Sequence, residues 1–156
     1  MSDIDILRAE LTDDPLSIGY ASMEDSEIAA ALNDASRPGK REVVASDVRM
    51  YVLLHGLWPT ITAVAAGSTN PVHKGTALTI LQTLGAGSFD VIRMNNPAIA
   101  AGVGQMLATM VEAGAISETN RAEMVAMGDA LVSRAQELGL GPVHHLAVAE
   151  ARRGGN

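Results

Sequence analysis

The stretch from Leu7 to Leu32, LRAELTDDPLSIGYASMEDSEIAAAL, decides how the chain is read, because it joins two apolar-faced helical segments through a turn-rich aromatic hinge. Asp13-Asp14-Pro15 stops the first segment: a residue before proline is pushed out of the α region, and proline itself lacks an amide donor. Gly19-Tyr20 then lets the chain turn while the ring finds a surface to pack on. Upstream, Ser2 or Asp3 is placed to cap a helix through about Leu11, with Ile4, Leu7 and Leu11 on one stripe and an acidic start that suits the helix dipole. Downstream, Ser22 is the expected cap of a helix from Glu24 to Asn33 that turns Ile28, Ala31 and Leu32 inward.

Beyond Asp34 the sequence changes character. Ala35-Ser36-Arg37-Pro38-Gly39-Lys40 combines a proline and a glycine with little apolar surface. Residues 1–34 therefore read as an N-terminal helical arm, 35–45 as a linker and 46–156 as a helical domain, the alternative being one continuous domain over 1–156. Glu42-Val43-Val44-Ala45 suits extended backbone. Ser46 and Asp47 start a helix to about Leu54, in which Val48, Tyr51, Val52 and His55 share a face. Gly56 ends it, Pro59 begins the next, to Ala66, and Asn70-Pro71 begins another, to Leu84, closed by Gly85-Ala86-Gly87-Ser88. Phe89-Asp90-Val91-Ile92-Arg93-Met94 reads as a strand turn or as a loop that seats its aromatic in the core. Asn96-Pro97 is the clearest start signal, followed at helical spacing by Ile99, Val103, Met106, Leu107, Met110 and Val111. Ser117-Glu118 opens a helix containing Met124, Met127 and Leu131, weakened by Gly128. The last segment, Pro142 to Arg153, turns Val143 and Leu146 inward.

Composition sets the class. Of 156 residues, 47% are hydrophobic but only 3% aromatic, which favours helices packed through Ala, Leu, Val and Met: a mainly α, small multi-helix domain with its N-terminal helical arm. The formal charge is −7 and the eleven basic residues are scattered, which disfavours nucleic acid as a direct partner, since binding needs clustered cations. With no cysteine, disulfides and thiolate metal sites are excluded, and synthesis in a reducing cytoplasm fits. No leader and no unbroken apolar run of about 18 residues is present, so the expectation is a soluble, unexported protein with no membrane partner.

Motifs that carry chemistry are weak throughout. His144 and His145 are neighbours on a helix, pointing about 100° apart, and cannot both face one ion. His55 and His73 lack a ligand partner at helical spacing. Asp13-Asp14, Glu24-Asp25 and Glu27 do not follow the calcium-loop pattern and suit caps and solvated charge better. Gly102-x-Gly104 lies inside a helix with no preceding strand, and Gly139-x-Gly141 lacks the lysine and hydroxyl of a nucleotide loop. Ser17, Ser46, Ser68, Ser88 and Ser133 have no nucleophile-elbow context. The residues thus point to a non-enzymatic protein with no cofactor and no metal; the remote enzymatic reading would use His144 or His145 with nearby carboxylates. Met106, Met110, Met124 and Met127 sit at core spacing rather than as a peptide groove. Trp58, beside a proline, is a core anchor or an interface hot spot, and Arg134 can pair with a carboxylate of a neighbouring segment or subunit. The candidate partner interface is Tyr20, Trp58, Arg134 and Glu137.

Glu10-Leu11-Thr12-x-Asp14-Pro15-Leu16-x-x-Gly19-Tyr20, with Met23 and Leu32-Asn33, and Ser133-Arg134-Ala135-Gln136-Glu137-Leu138-Gly139-Leu140-Gly141 before Ala151-Arg152, resemble a group of small proteins encoded in tailed-bacteriophage genomes. The resemblance implies a virion structural protein, made in the host cytoplasm, that binds other phage structural proteins of the capsid, neck (head-tail connector) or tail. It carries no catalytic residue across. If several copies occur in a particle, as a homo-oligomer or otherwise, an arm at residues 1–34 could join adjacent subunits. The alternative is a soluble cytoplasmic helical interaction module or phage assembly factor.

Overall fold

The computed structural model describes residues 1–85 and 90–154. Ala86-Gly87-Ser88, the aromatic Phe89 and the tail residues Gly155 and Asn156 lie outside the described residues, and so do the loop closure and ring placement expected of them. The chain is mainly helical, with nine α-helices and four short strands among the described residues. It divides into two compact units, one made of Met1–Gly39 with Leu131–Asn156 and the other of Lys40–Ala130.

In the first unit, α1 (Asp3–Asp13) starts at Ser2, whose hydroxyl accepts the Asp5 amide while the Asp5 carboxylate accepts the Ser2 amide. It stops where Asp13-Asp14-Pro15 requires. Asp14 takes the left-handed conformation with φ 37°, and its carboxylate accepts the amides of Ile18 at 2.8 Å and Gly19 at 2.7 Å. Asp tolerates that conformation because its short side chain bonds the nearby backbone. Gly19, at φ 87°, then leads into a 3-10 turn, Tyr20–Ser22, which carries the Tyr20 ring into the core. Helix α2 (Asp25–Asn33) is capped at Glu24, not at Ser22 as expected. The Ser22 hydroxyl is already donating to the Gly19 carbonyl, whereas the Glu24 amide is taken by Glu27.

The arm drawn at residues 1–34 does not stand apart: its helices pack on the C-terminal segment. Helix α1 packs on the last helix, α9 (His145–Arg153), while α2 packs on both α9 and the short α8 (Arg134–Glu137). Leu7, Tyr20, Ile28 and Leu32 share one core with Val148 and Ala151. The Asn33 side chain accepts the Val143 amide and donates to the Val143 carbonyl, at 2.9 and 2.7 Å. Helix α9 begins at His145 rather than at Pro142, so its inward stripe is Val148 and Ala151, and Leu146, expected inside, is exposed.

The expected linker at 35–45 contains two strands, β1 (Arg37–Lys40) and β2 (Glu42–Val44). Strand β1 pairs with β4 (Asp129–Val132), and Gly39 is needed there because a Cβ would strike the Val132 side chain. The segment read as one helix through Leu131 ends at Ala126, after which Gly128 allows entry into β4 and Leu131 is exposed.

In the second unit, β2 runs antiparallel to β3 (Val91–Arg93) with Val43 opposite Ile92. Five helices accompany this strand pair, three of them between its strands in sequence: α3 (Ala45–Leu54), α4 (Leu57–Gly67) and α5 (Pro71–Gly85), followed by α6 (Pro97–Glu112) and α7 (Glu118–Ala126). Asn96 and Ser117 cap α6 and α7 through their side chains, as their sequences predict. Helix α3 starts one residue before Ser46 and has no side-chain cap; the Ala45 amide instead donates to the Asp90 carbonyl at 3.0 Å. Helix α4 begins at Leu57, not at Pro59, because Gly56 takes a left-handed φ of 65° and lets Leu57 enter the core. Val52, Ile61, Ala77 and Met110 complete that core.

Candidate functional site

The residues that carry the phage resemblance are joints inside the first unit. Glu10 lies on the inner side of α1 and is 4% exposed. Its charge is met by Arg134, whose Nε and Nη2 donate to the two carboxylate oxygens at 2.8 and 2.6 Å, the paired geometry that makes guanidinium–carboxylate contacts strong. The Tyr20 hydroxyl donates to the same carboxylate at 3.3 Å. Arg134 also donates to Glu137 at 3.0 Å, and Glu137 accepts from Arg37 at 2.9 Å. At the far end, Arg152 donates to the Met23 carbonyl and to Asp25.

Charge states follow from this arrangement. Burial, reinforced by the Glu10 charge, pushes the Tyr20 hydroxyl up to about 12. Partial burial would raise Glu137, but hydrogen bonds from Arg37 and Arg134 outweigh it and hold the carboxyl below its ordinary value. Arg134 is held more firmly in its charged form, chiefly by its hydrogen bonds to Glu10. The five side chains satisfy one another, so this set acts as a clasp.

Of the four residues expected at a partner interface, Tyr20 is fully buried and Arg134 and Glu137 are engaged within the chain. Trp58 is half-buried at the start of α4, packed against the core of the second unit. Neither His144 nor His145 is buried, and no group of three metal-ligating side chains occurs among the described residues. The His55 ring stacks on Tyr51 with centroids 3.9 Å apart, while the Tyr51 hydroxyl donates to Glu123 and accepts from Asn120.

The surface that sequence reasoning missed is on α3. Val48 and Val52 face the core, yet Met50, Leu53 and Leu54 point away from it and are 55%, 52% and 75% exposed. Their spacing of three and four residues puts them on one face. A helix apolar on both sides is one that expects to be covered on both sides. Its signal was present in Val48-Arg49-Met50-Tyr51-Val52-Leu53-Leu54, which leaves no polar side for the last turn and a half.

The same unit is nearly free of charge along its helices: Lys74 is the only charged residue between Arg49 and Asp90, and none lies between Arg93 and Glu112. Charge is concentrated in the other unit, where eleven acidic residues oppose five basic ones, against seven and six here. The second unit also contains a cavity of about 650 Å³, bounded by the β2–β3 strand pair and helices α3 to α7. Met110 and Met124 are buried in the core, as expected, and also line the cavity walls, together with Met106 and Met94. Thr83, Asp90 and Arg93 are its polar members among the described residues.

No protein-family model matches the chain, and neither a curated protein nor a solved structure matches it.

Proposed function

We propose that this chain is a non-enzymatic structural protein of a tailed-bacteriophage virion, which binds neighbouring capsid, neck or tail proteins through the outer face of α3. The exposed triplet Met50, Leu53 and Leu54 carries this reading. Contiguous apolar surface on a folded protein marks a place where another macromolecule sits, and buried interface centres are depleted of charge. Helix α4, which packs on α3 and carries no charge, extends the same chemistry. The choice of a virion within the class of protein-binding modules rests on the resemblance of Glu10–Tyr20 and Ser133–Gly141 to phage proteins. The clasp gives those residues a reason to occur together, because Glu10 and Arg134 form one buried pair.

Quantitative mass spectrometry of particles purified from infected cells tests the reading. The chain is expected at several copies per particle, and substitution of Leu54 by Asp should remove it from particles while leaving the protein folded. Presence only in the soluble cell fraction would favour the assembly-factor alternative and contradict residence in the virion.

A further inference from the structure

We infer that the second unit binds a single-chain fatty acid, with the hydrocarbon tail in the cavity beside the β2–β3 strand pair and the carboxylate beside Arg93. This stands apart from the virion reading and uses a different surface. The volume of about 650 Å³ falls within the range of small-molecule sites. Water is a poor occupant: each ordered molecule needs two to four polar partners, and among the described lining residues only Thr83, Asp90 and Arg93 have polar side chains.

The wall chemistry narrows the ligand. The described walls are aliphatic side chains and thioethers, which suit a hydrocarbon better than a polar ring system. An extended peptide would bury backbone amides and carbonyls against aliphatic walls without partners, which is costly. A flexible chain of methylenes has no such groups, and the thioethers of Met94, Met106, Met110 and Met124 adapt to its shape.

Arg93 supplies the head-group contact. It is exposed on β3 and meets Glu42 only at 3.5 Å, a surface pair that contributes little and yields easily to a better partner. A guanidinium matches a carboxylate in a paired geometry, and Arg93 is the one cation among the described lining residues. Asp90 and Glu42 leave that rim without excess positive charge, so the tail must supply most of the affinity and chain length must govern it.

The test is calorimetric titration of the full chain, freed of co-purifying lipid, with sodium dodecanoate, sodium decanoate and 1-dodecanol below their aggregation limits. Saturable binding of one dodecanoate per chain is expected. Removing two methylenes should weaken it roughly tenfold, at about three- to fourfold per methylene. Dodecanol should bind more weakly than dodecanoate, and Arg93→Gln should erase that difference. Val103→Phe, which projects a ring into the cavity where the tail would lie, should weaken binding several-fold with the thermal midpoint kept or raised. If that variant does not fold, Ile99→Trp at the partly exposed rim takes its place, with the same expected loss. No saturable dodecanoate binding, affinity independent of chain length, unchanged binding by a folded variant with the ring in the cavity, or dodecanol binding as tightly as dodecanoate would each overturn the inference.

Discussion

Glu10 is a carboxylate that folding removes from water, and Arg134 is what makes this tolerable. Truncating one member of a buried pair leaves the other charge without compensation, so Arg134→Met should lower unfolding free energy by about 3 to 5 kcal/mol. The double variant Glu10→Leu, Arg134→Met should recover most of that loss in a denaturant titration, because it removes both charges. Recovery of nothing would mean that Arg134 acts through its packing. The Tyr20 hydroxyl gives a pH signature. Its folded value, about 12, is raised above the ordinary 10.0, so its contribution is complete below pH 10 and is lost as pH rises through 12. Tyr20→Phe should flatten the stability profile in that alkaline window. Glu137, held below its ordinary 4.5, has the opposite sign: its contribution is present above pH 4.5 and is lost on further acidification, and Glu137→Gln should reduce that acid sensitivity.

At the scale of elements, start signals were readable where a side chain does the capping and unreadable where a distant backbone does. Asn96-Pro97 and Ser117 sit at the starts of α6 and α7, since their oxygen partners are two or three residues away. Ser46 failed as a cap because the carbonyl that takes the Ala45 amide belongs to Asp90, which no local window contains. Ser22 failed because its hydroxyl was engaged in the preceding turn. Strand β4 was hidden for a similar reason: Ala126 to Leu131 continues a helical apolar rhythm, and only pairing with β1 draws it out. The helical class and the inner positions Leu107 and Met110 of α6 followed from periodicity alone, whereas Ile99, expected on the same stripe, is exposed. Leu107 is buried, so Leu107→Ala should cost about 2 to 5 kcal/mol by lost transfer energy and cavity enlargement. Leu54→Asp on the outer face of α3 should instead change stability by less than about 0.5 kcal/mol, as surface substitutions do. The contrast, read by thermal unfolding of both variants, separates a core stripe from a docking stripe.

At the scale of the whole molecule, Tyr20, Arg134 and Glu137 lie in the first unit, whereas the exposed apolar face of α3 lies in the second. Tyr20, Arg134 and Glu137 drew attention because aromatic and charged residues at unusual spacing stand out in a sequence, yet their partners are one another. Met50, Leu53 and Leu54 did not stand out, since apolar residues in a helical segment read as core until the other face is seen to be covered. The proline-glycine step at Pro38-Gly39 read as a hinge for an arm, but it belongs to a paired strand. Deleting residues 1–34 should therefore uncover Val143, Val148 and Ala151, and hydrogen exchange across α9 should lose its protection. A truncated chain whose α9 exchanges as slowly as in the full chain would restore the arm.

On the proposed reading, the outer face of α3 is where this protein meets its neighbours in a particle. A photo-crosslinking amino acid placed at Leu54, with a control at the exposed Thr79 of α5, tests it in assembled virions. The expected result is a discrete crosslink from position 54 to a capsid, neck or tail protein, with little or none from position 79. The absence of any crosslink from position 54 in particles that contain the protein would contradict the account.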